Sequence, residues 1–301
     1  MKSVFLFPGQ ASQKIGMGLD LYHDTELGKK YFDIANEIME FDLQDIIFNG
    51  PDETLKQTQF TQPAIYLVST ILGKLLIQND VIPAATAGHS LGEYSALAIS
   101  GAFSFETGLR LVKLRAESMQ KAGKITNGKM AAVIGLDKDK INEICKLGNE
   151  QGIVVPANFN APGQIVISGE VVAVNYVMDL AKNAGARKVI ELNVSGAFHS
   201  PLMSEAKTAL TNMLNSIEIS DVEFPVYSNV TAKPVFESDE IRNGLIQQVD
   251  NAVLWQDIIQ NMINDGVTNF VEVGPGRILQ GLTKRIDRNV KSSGIETNID
   301  V

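Results

Sequence analysis

Three side chains in this sequence of 301 residues could do chemistry together, a serine as nucleophile, a histidine as its base and an arginine as a socket for an anion: Ser90, His199 and Arg115. Ser90 lies in Gly88-His89-Ser90-Leu91-Gly92, a G-x-S-x-G pattern. There, glycines flank a serine on a sharp turn, and the hydroxyl stands exposed above a sheet. The apolar run Ala84–Ala87 precedes it and helix-forming Tyr94–Ile99 follows, so the expectation is strand, turn, helix: a nucleophile elbow. Ser90 then sits at a helix N-terminus, where unpaired N–H groups and the helix dipole favour developing negative charge. The Leu91 N–H points where an oxyanion would form. The competing reading is a chance match in a glycine-containing turn.

A nucleophilic serine needs a base, and the histidines are His23, His89 and His199. His23 sits in a polar helical stretch and reads as surface. His89 adjoins Ser90, but adjacent side chains point apart. His199 remains, in a loop just before a helix and late in the chain, where hydrolase-like topologies bring the base; a structural loop histidine is the alternative. Arg115 stands out on a helical wheel of Ser104–Ala122. Glu106, Arg110, Lys113, Glu117, Gln120 and Lys121 share one arc, and Leu111, Val112, Met119 and Ala122 the opposite one. Arg115 falls within the apolar arc, where an unpaired charge is costly. It is therefore either a structural ion pair or snorkelling arginine, or a socket for a substrate carboxylate. No metal site is expected, because the few histidines and the single Cys145 offer no ligand spacing.

The elements that must position these groups follow an α/β pattern. Ser3–Phe7 reads as a buried strand, and the polar loop Pro8–Gln13 follows at its C-terminal end, where such folds place ligands. Helices are expected over Thr25–Glu40 and Asp42–Phe48. Another runs from Thr61-Gln62-Pro63 to about Gln78, with Pro63 in its first turn. Between Lys129 and Arg187 the order becomes β-α-β-β-α-β, that of a ferredoxin-like module. Residues 127–195 are therefore read as an inserted subdomain, and 1–126 with 196–301 as a discontinuous hydrolase-like catalytic domain with a parallel sheet. Ser200-Pro201 opens a helix to about Leu214. Phe224–Ser228 and Asn269–Val273 read as strands, Ser238–Val249 and Leu254–Asp265 as helices. Gly274-Pro275-Gly276 is a turn before a last helix, since it lacks the Walker lysine. The tail after Arg288 is expected to be loosely held.

Composition narrows the class of function. A formal net charge of −9 and a pI near 4.9 argue against nucleic acid as the main partner. One cysteine precludes an internal disulfide and fits a reducing compartment. No apolar run is read as long enough to span a membrane, and Val4–Phe7 is too short for a signal-peptide core. The expectation is a cytoplasmic protein with no membrane association.

Six separated motifs, in order along the chain, resemble the malonyl-CoA:acyl carrier protein transacylases. They are Phe7-Pro8-Gly9-Gln10, Thr61-Gln62-Pro63-Ala64, Gly88–Glu93, Leu111–Arg115, Gly196–Ser200 and Val271–Gly276. The resemblance implies a hydrolase-like α/β domain with a ferredoxin-like insert. It implies Ser90 as nucleophile, His199 as base and Arg115 as clamp on the malonyl carboxylate. The N–H groups of Gln10 and Leu91 become the oxyanion hole, and the main-chain carbonyl of Gln248 orients His199. Gln62, Met130 and Asn160 correspond to site walls, and Phe198 beside His199 to malonyl-selective members. The implied partners are malonyl-CoA and acyl carrier protein, with a malonyl-serine intermediate, no cofactor and a monomeric enzyme. The basic pairs Arg187-Lys188 and Lys284-Arg285, with Arg288, are candidates for the carrier's docking patch. Two departures stand out: Ala11 where the family usually has glycine, and Ala252 and Leu254 where proline and arginine usually precede Trp255. Three alternatives are a serine thioesterase or esterase, a stand-alone polyketide extender acyltransferase, and a non-catalytic acyl-binding protein.

Overall fold

In the computed structural model, which describes residues 2–300, the chain forms ten strands. They are β1 (Ser3–Phe7), β2 (Ala85–Gly88), β3 (Gly128–Ile134), β4 (Val154–Ala161), β5 (Gln164–Glu170), β6 (Lys188–Glu191), β7 (Val226–Tyr227), β8 (Pro234–Val235), β9 (Asn269–Val273) and β10 (Lys291–Ile295). Six of them make one sheet in the order β10-β9-β1-β2-β7-β8. All its pairings are parallel except β7 with β8. The central strand β1 is apolar on both sides because both faces are covered. Phe5 and Phe7 pack into one core with Phe32 and Leu67. Val4 and Leu6 pack into another with Trp255 and Phe270. That alternation is the two-residue period of a strand.

The second sheet is antiparallel, in the order β4-β5-β3-β6. Helices Lys138–Gly148 and Val171–Asn183 cover one face, around Ala131, Val133, Ile141 and Val174. Its opposite face carries Met130, Ala132 and Val166 toward the main domain. A backbone exchange joins the two parts: Phe159 N–H donates to Val253 O and Val253 N–H to Ala157 O, both at 2.9 Å.

Most expected elements lie within a few residues of their positions, but three expectations are corrected. The segment after Arg288 is not loose among the described residues, since β10 pairs in register with all of β9. Its five residues carry no apolar alternation, so only the neighbouring strand reveals it. The helix expected to begin near Thr61 begins at Thr58, which places Pro63 inside it. Its first turn is held from outside, where Gln59 N–H donates to Gln120 Oε1 at 3.0 Å. Gln120 is accordingly buried rather than on the solvent arc. Finally, Thr58–Gln78 is long and apolar enough by composition to cross a membrane. Interspersed threonine, serine and glycine hide the stretch in the sequence. Here it is a core helix, buried over most of its length.

Candidate active site

The loop after β2 is shaped by close backbone approach. A Cβ on Gly88 would lie 1.8 Å from the Gly92 carbonyl carbon, and one on Gly92 would lie 2.0 Å from Phe7 O. Both positions therefore require glycine, and the helix Gly92–Ile99 packs its first residue directly on the end of β1. Between them Ser90 takes a left-handed backbone, φ 53°, a conformation that costs a non-glycine residue ~1–3 kcal/mol. His199 is also left-handed, φ 56°.

The Ser90 hydroxyl lies 2.8 Å from His199 Nε2. His199 Nδ1 lies 2.9 Å from the Gln248 main-chain carbonyl. A carbonyl only accepts, so Nδ1 carries the proton and Nε2 is the free base facing Ser90. Burial, and next the Arg115 charge, push the His199 pKa down to about 3. The ring is thus held neutral, as a base must be.

Arg115 is 1% exposed. Its Nη1 donates to Gln62 Oε1 at 2.7 Å. Its Nη2 donates to Gln248 Oε1 at 2.9 Å and to Ser90 Oγ at 3.0 Å. Among the described residues it makes no ion pair, and its Nε has no hydrogen-bond partner. Desolvation opposes its charge and lowers its pKa. Such a cation, neutral oxygens around it and a nucleophile beside it, is poised for an anion that arrives with the substrate.

Nine of the ten residues singled out in the sequence line one cavity of about 280 Å³: Gln10, Gln62, Ser90, Leu91, Arg115, Met130, Asn160, Phe198 and His199. Gln248 lies behind them, fully buried, bonded to His199 through its main chain and to Arg115 through its side chain. The N–H groups of Gln10 and Leu91 donate no hydrogen bond among the described residues, while Ser90 N–H is taken by Asn229 Oδ1 at 2.7 Å. Ala11 stands at φ 83°, the left-handed backbone that glycine adopts without strain. The departures at Ala252 and Leu254 leave the Gln248 carbonyl on His199, because Val253 between them is pinned to β4.

Three residues that sequence reasoning passed over also belong to the site. His89, set aside as a base, lines the cavity and places Nε2 2.8 Å from Asn160 Oδ1, with its ring against Trp255. Glu93 is buried and receives Gln248 Nε2–H at 2.6 Å and Asn229 N–H at 3.1 Å. Burial raises its pKa to about 7. Asn229 bonds the backbone on both sides of His89. The only thing the sequence shows of Asn229 is its place directly after the expected strand Phe224–Ser228.

Residues 4–297 match the family model described as an acyl transferase domain. The malonyl CoA-acyl carrier protein transacylase of Bacillus subtilis (strain 168) is 42% identical, across 98% of this chain and 93% of that protein. The chain belongs to the malonyl-CoA:acyl carrier protein transacylase family. Its relative in Staphylococcus aureus (strain MRSA252) is 38% identical over 100% of this chain and 97% of its own length. Among solved structures, an acyl carrier protein S-malonyltransferase of Vibrio cholerae superposes with a TM-score of 0.96 at 37% identity, covering 100% of this chain and 98% of that one. A transacylase in complex with its type II polyketide synthase acyl carrier protein superposes at 0.95 with 38% identity, covering 100% and 97%.

Proposed function

We propose that this chain transfers the malonyl group of malonyl-CoA to the phosphopantetheine thiol of acyl carrier protein, through a malonyl ester on Ser90, in support of fatty acid synthesis. The observation that carries this reading is Arg115: a buried cation without an ionic partner among the described residues, 3.0 Å from the Ser90 oxygen. A malonyl thioester brings a free carboxylate to that cation and a carbonyl carbon to Ser90 Oγ. His199 Nε2 takes the Ser90 proton as Oγ attacks the carbonyl. The oxyanion is held by the N–H groups of Gln10 and Leu91. The intermediate collapses, the C–S bond breaks, and His199 returns the proton to the departing coenzyme A thiolate. The carrier's thiol then gives its proton to His199 and attacks the ester, and Ser90 leaves with the proton restored. Serine, histidine and backbone N–H groups supply every role, so the reading calls for no cofactor.

In this reading the Gly88–Gly92 turn is a nucleophile elbow, supported by the positive φ of Ser90. Residues 127–195 are a ferredoxin-like subdomain, supported by their own antiparallel sheet and helical core. The site is complete within one chain, which favours a monomer. Buried, unpaired Cys145 fits a cytoplasmic setting. The helix Ile278–Ile286 turns Leu279 and Leu282 into the cavity and carries exposed Lys284 and Arg285 outside. This exposure supports Lys284 and Arg285 as the basic patch that the carrier meets.

The test is product analysis. With malonyl-CoA and carrier bearing its pantetheine, the enzyme should convert the carrier to the malonyl form and release coenzyme A in equal amount. Coenzyme A release at the same rate without carrier would mark a thioesterase instead.

A further inference from the structure

The left-handed backbone of Ser90 needs something to hold it: Gln248 Nε2–H donates to its carbonyl at 2.8 Å, and the N–H side of the turn is held by Asn229. Strand β7 runs parallel to β2, pairing Tyr227 with Ala87, so Asn229 emerges beside the end of the elbow strand. Its Oδ1 accepts from Ser90 N–H and its Nδ2–H donates to Gly88 O, both at 2.7 Å. One amide thus spends its acceptor and a donor on the two backbone groups flanking His89. The side chain is itself immobilised. Asn229 is fully buried, its N–H donates to Glu93 Oε1 at 3.1 Å, and its carbonyl accepts Leu254 N–H at 2.9 Å.

We propose that Asn229 is a positioning residue for the transfer reaction, holding the strained turn at Ser90 and, by taking the Ser90 N–H, leaving the Leu91 N–H as the elbow's donor to the acyl oxygen. This inference rests on the malonyl-transfer reading. It requires an acceptor and a donor together, which an amide or a neutral carboxyl provides. An ionised carboxylate would set an oxygen anion against Gly88 O. Glu93 is the titratable group in contact with this residue, and its negative charge would keep a carboxyl here protonated to higher pH.

The experiment compares wild type, Asn229→Ala and the isosteric Asn229→Asp in single-turnover loading of Ser90 from malonyl-CoA between about pH 5 and 9, each checked for wild-type circular dichroism. A misplaced nucleophile costs on the order of 100-fold in rate. Asn229→Ala should lose about that at every pH while KM for malonyl-CoA stays near wild type, because Arg115 is untouched. Asn229→Asp should be slow at high pH, with its rate relative to wild type rising as pH falls and the carboxyl becomes neutral. An Asp variant matching wild type throughout, with the Ala variant slow, supports the same conclusion. Wild-type loading by Asn229→Ala overturns it, as does an Asp variant slowed by one constant factor at all pH. If wild type itself fails to load Ser90, the malonyl-transfer reading falls instead.

Discussion

In the proposed mechanism the His199 ring is squeezed between two demands, since it accepts a proton from Ser90 yet lies buried near the Arg115 cation. Both burial and that cation disfavour the imidazolium, which places its pKa near 3 rather than near the ordinary ~6.5. The acid limb of the kcat/KM profile for malonyl loading should therefore lie well below pH 6.5, and a limb at about pH 6.5 would contradict a base held neutral in this way. Stability moves with the same proton. Between about pH 3 and 6.5 the unfolded chain binds it and the folded chain does not, so this histidine's contribution makes the fold less stable as pH falls through that window. Ser90, His199 and Arg115 were legible in the sequence for distinct reasons: a glycine-flanked serine, a shortage of histidines, and a charge on an apolar helical arc. Asn229 and Glu93 were not, because their partners are each other and groups such as Gly88 O and Gln248 Nε2, many residues away in sequence. Such bonds leave no periodicity.

The turns that aim these groups depend on what may fit between elements. Gly92 abuts Phe7 O so closely that a methyl group cannot enter without moving the helix Gly92–Ile99 off β1. Gly92→Ala should cost ~1–3 kcal/mol of stability, measured by urea denaturation, and slow Ser90 loading as well. Unchanged stability would mean that the helix can slide freely on β1. Ala11 presents the opposite case, a side chain on a left-handed backbone next to Gln10. Ala11→Gly should raise stability by about 1 kcal/mol by relieving that conformation, and a loss in the same titration would refute the strain. The need for glycine at positions 88 and 92 was readable because G-x-S-x-G carries its own geometry. The start of the helix at Thr58 was not, because Gln120 from another helix completes its first turn. Nor was β10, a polar strand that exists by pairing with β9.

The mixed α/β class and the order of elements followed from alternating strand and helix patterns, and five of the six separated motifs contribute residues to one cavity. What no local pattern could disclose was the way the face of the antiparallel sheet bearing Met130, Ala132 and Val166 closes over Ser90. In the proposed function the acidic chain meets its carrier through the exposed basic pair Lys284 and Arg285. Lys284→Glu with Arg285→Glu should raise KM for the carrier severalfold at low salt, less at high salt, and leave malonyl-CoA loading unchanged; an unaltered KM at low salt would remove the patch. Selection of a carboxylate-bearing acyl group by the buried Arg115 cation beside Ser90 is the core of the proposed function. It is tested most directly by brief mixing with malonyl-CoA or acetyl-CoA without carrier, followed by intact mass and peptide mapping, for wild type and Arg115→Ala. Wild type should acquire a malonyl adduct on Ser90 and little acetyl adduct. Arg115→Ala should lose ~1.5–3 kcal/mol of preference, roughly ten- to a hundredfold, chiefly through slower malonyl loading. A variant that keeps the wild-type ratio of malonyl to acetyl adduct would contradict the account.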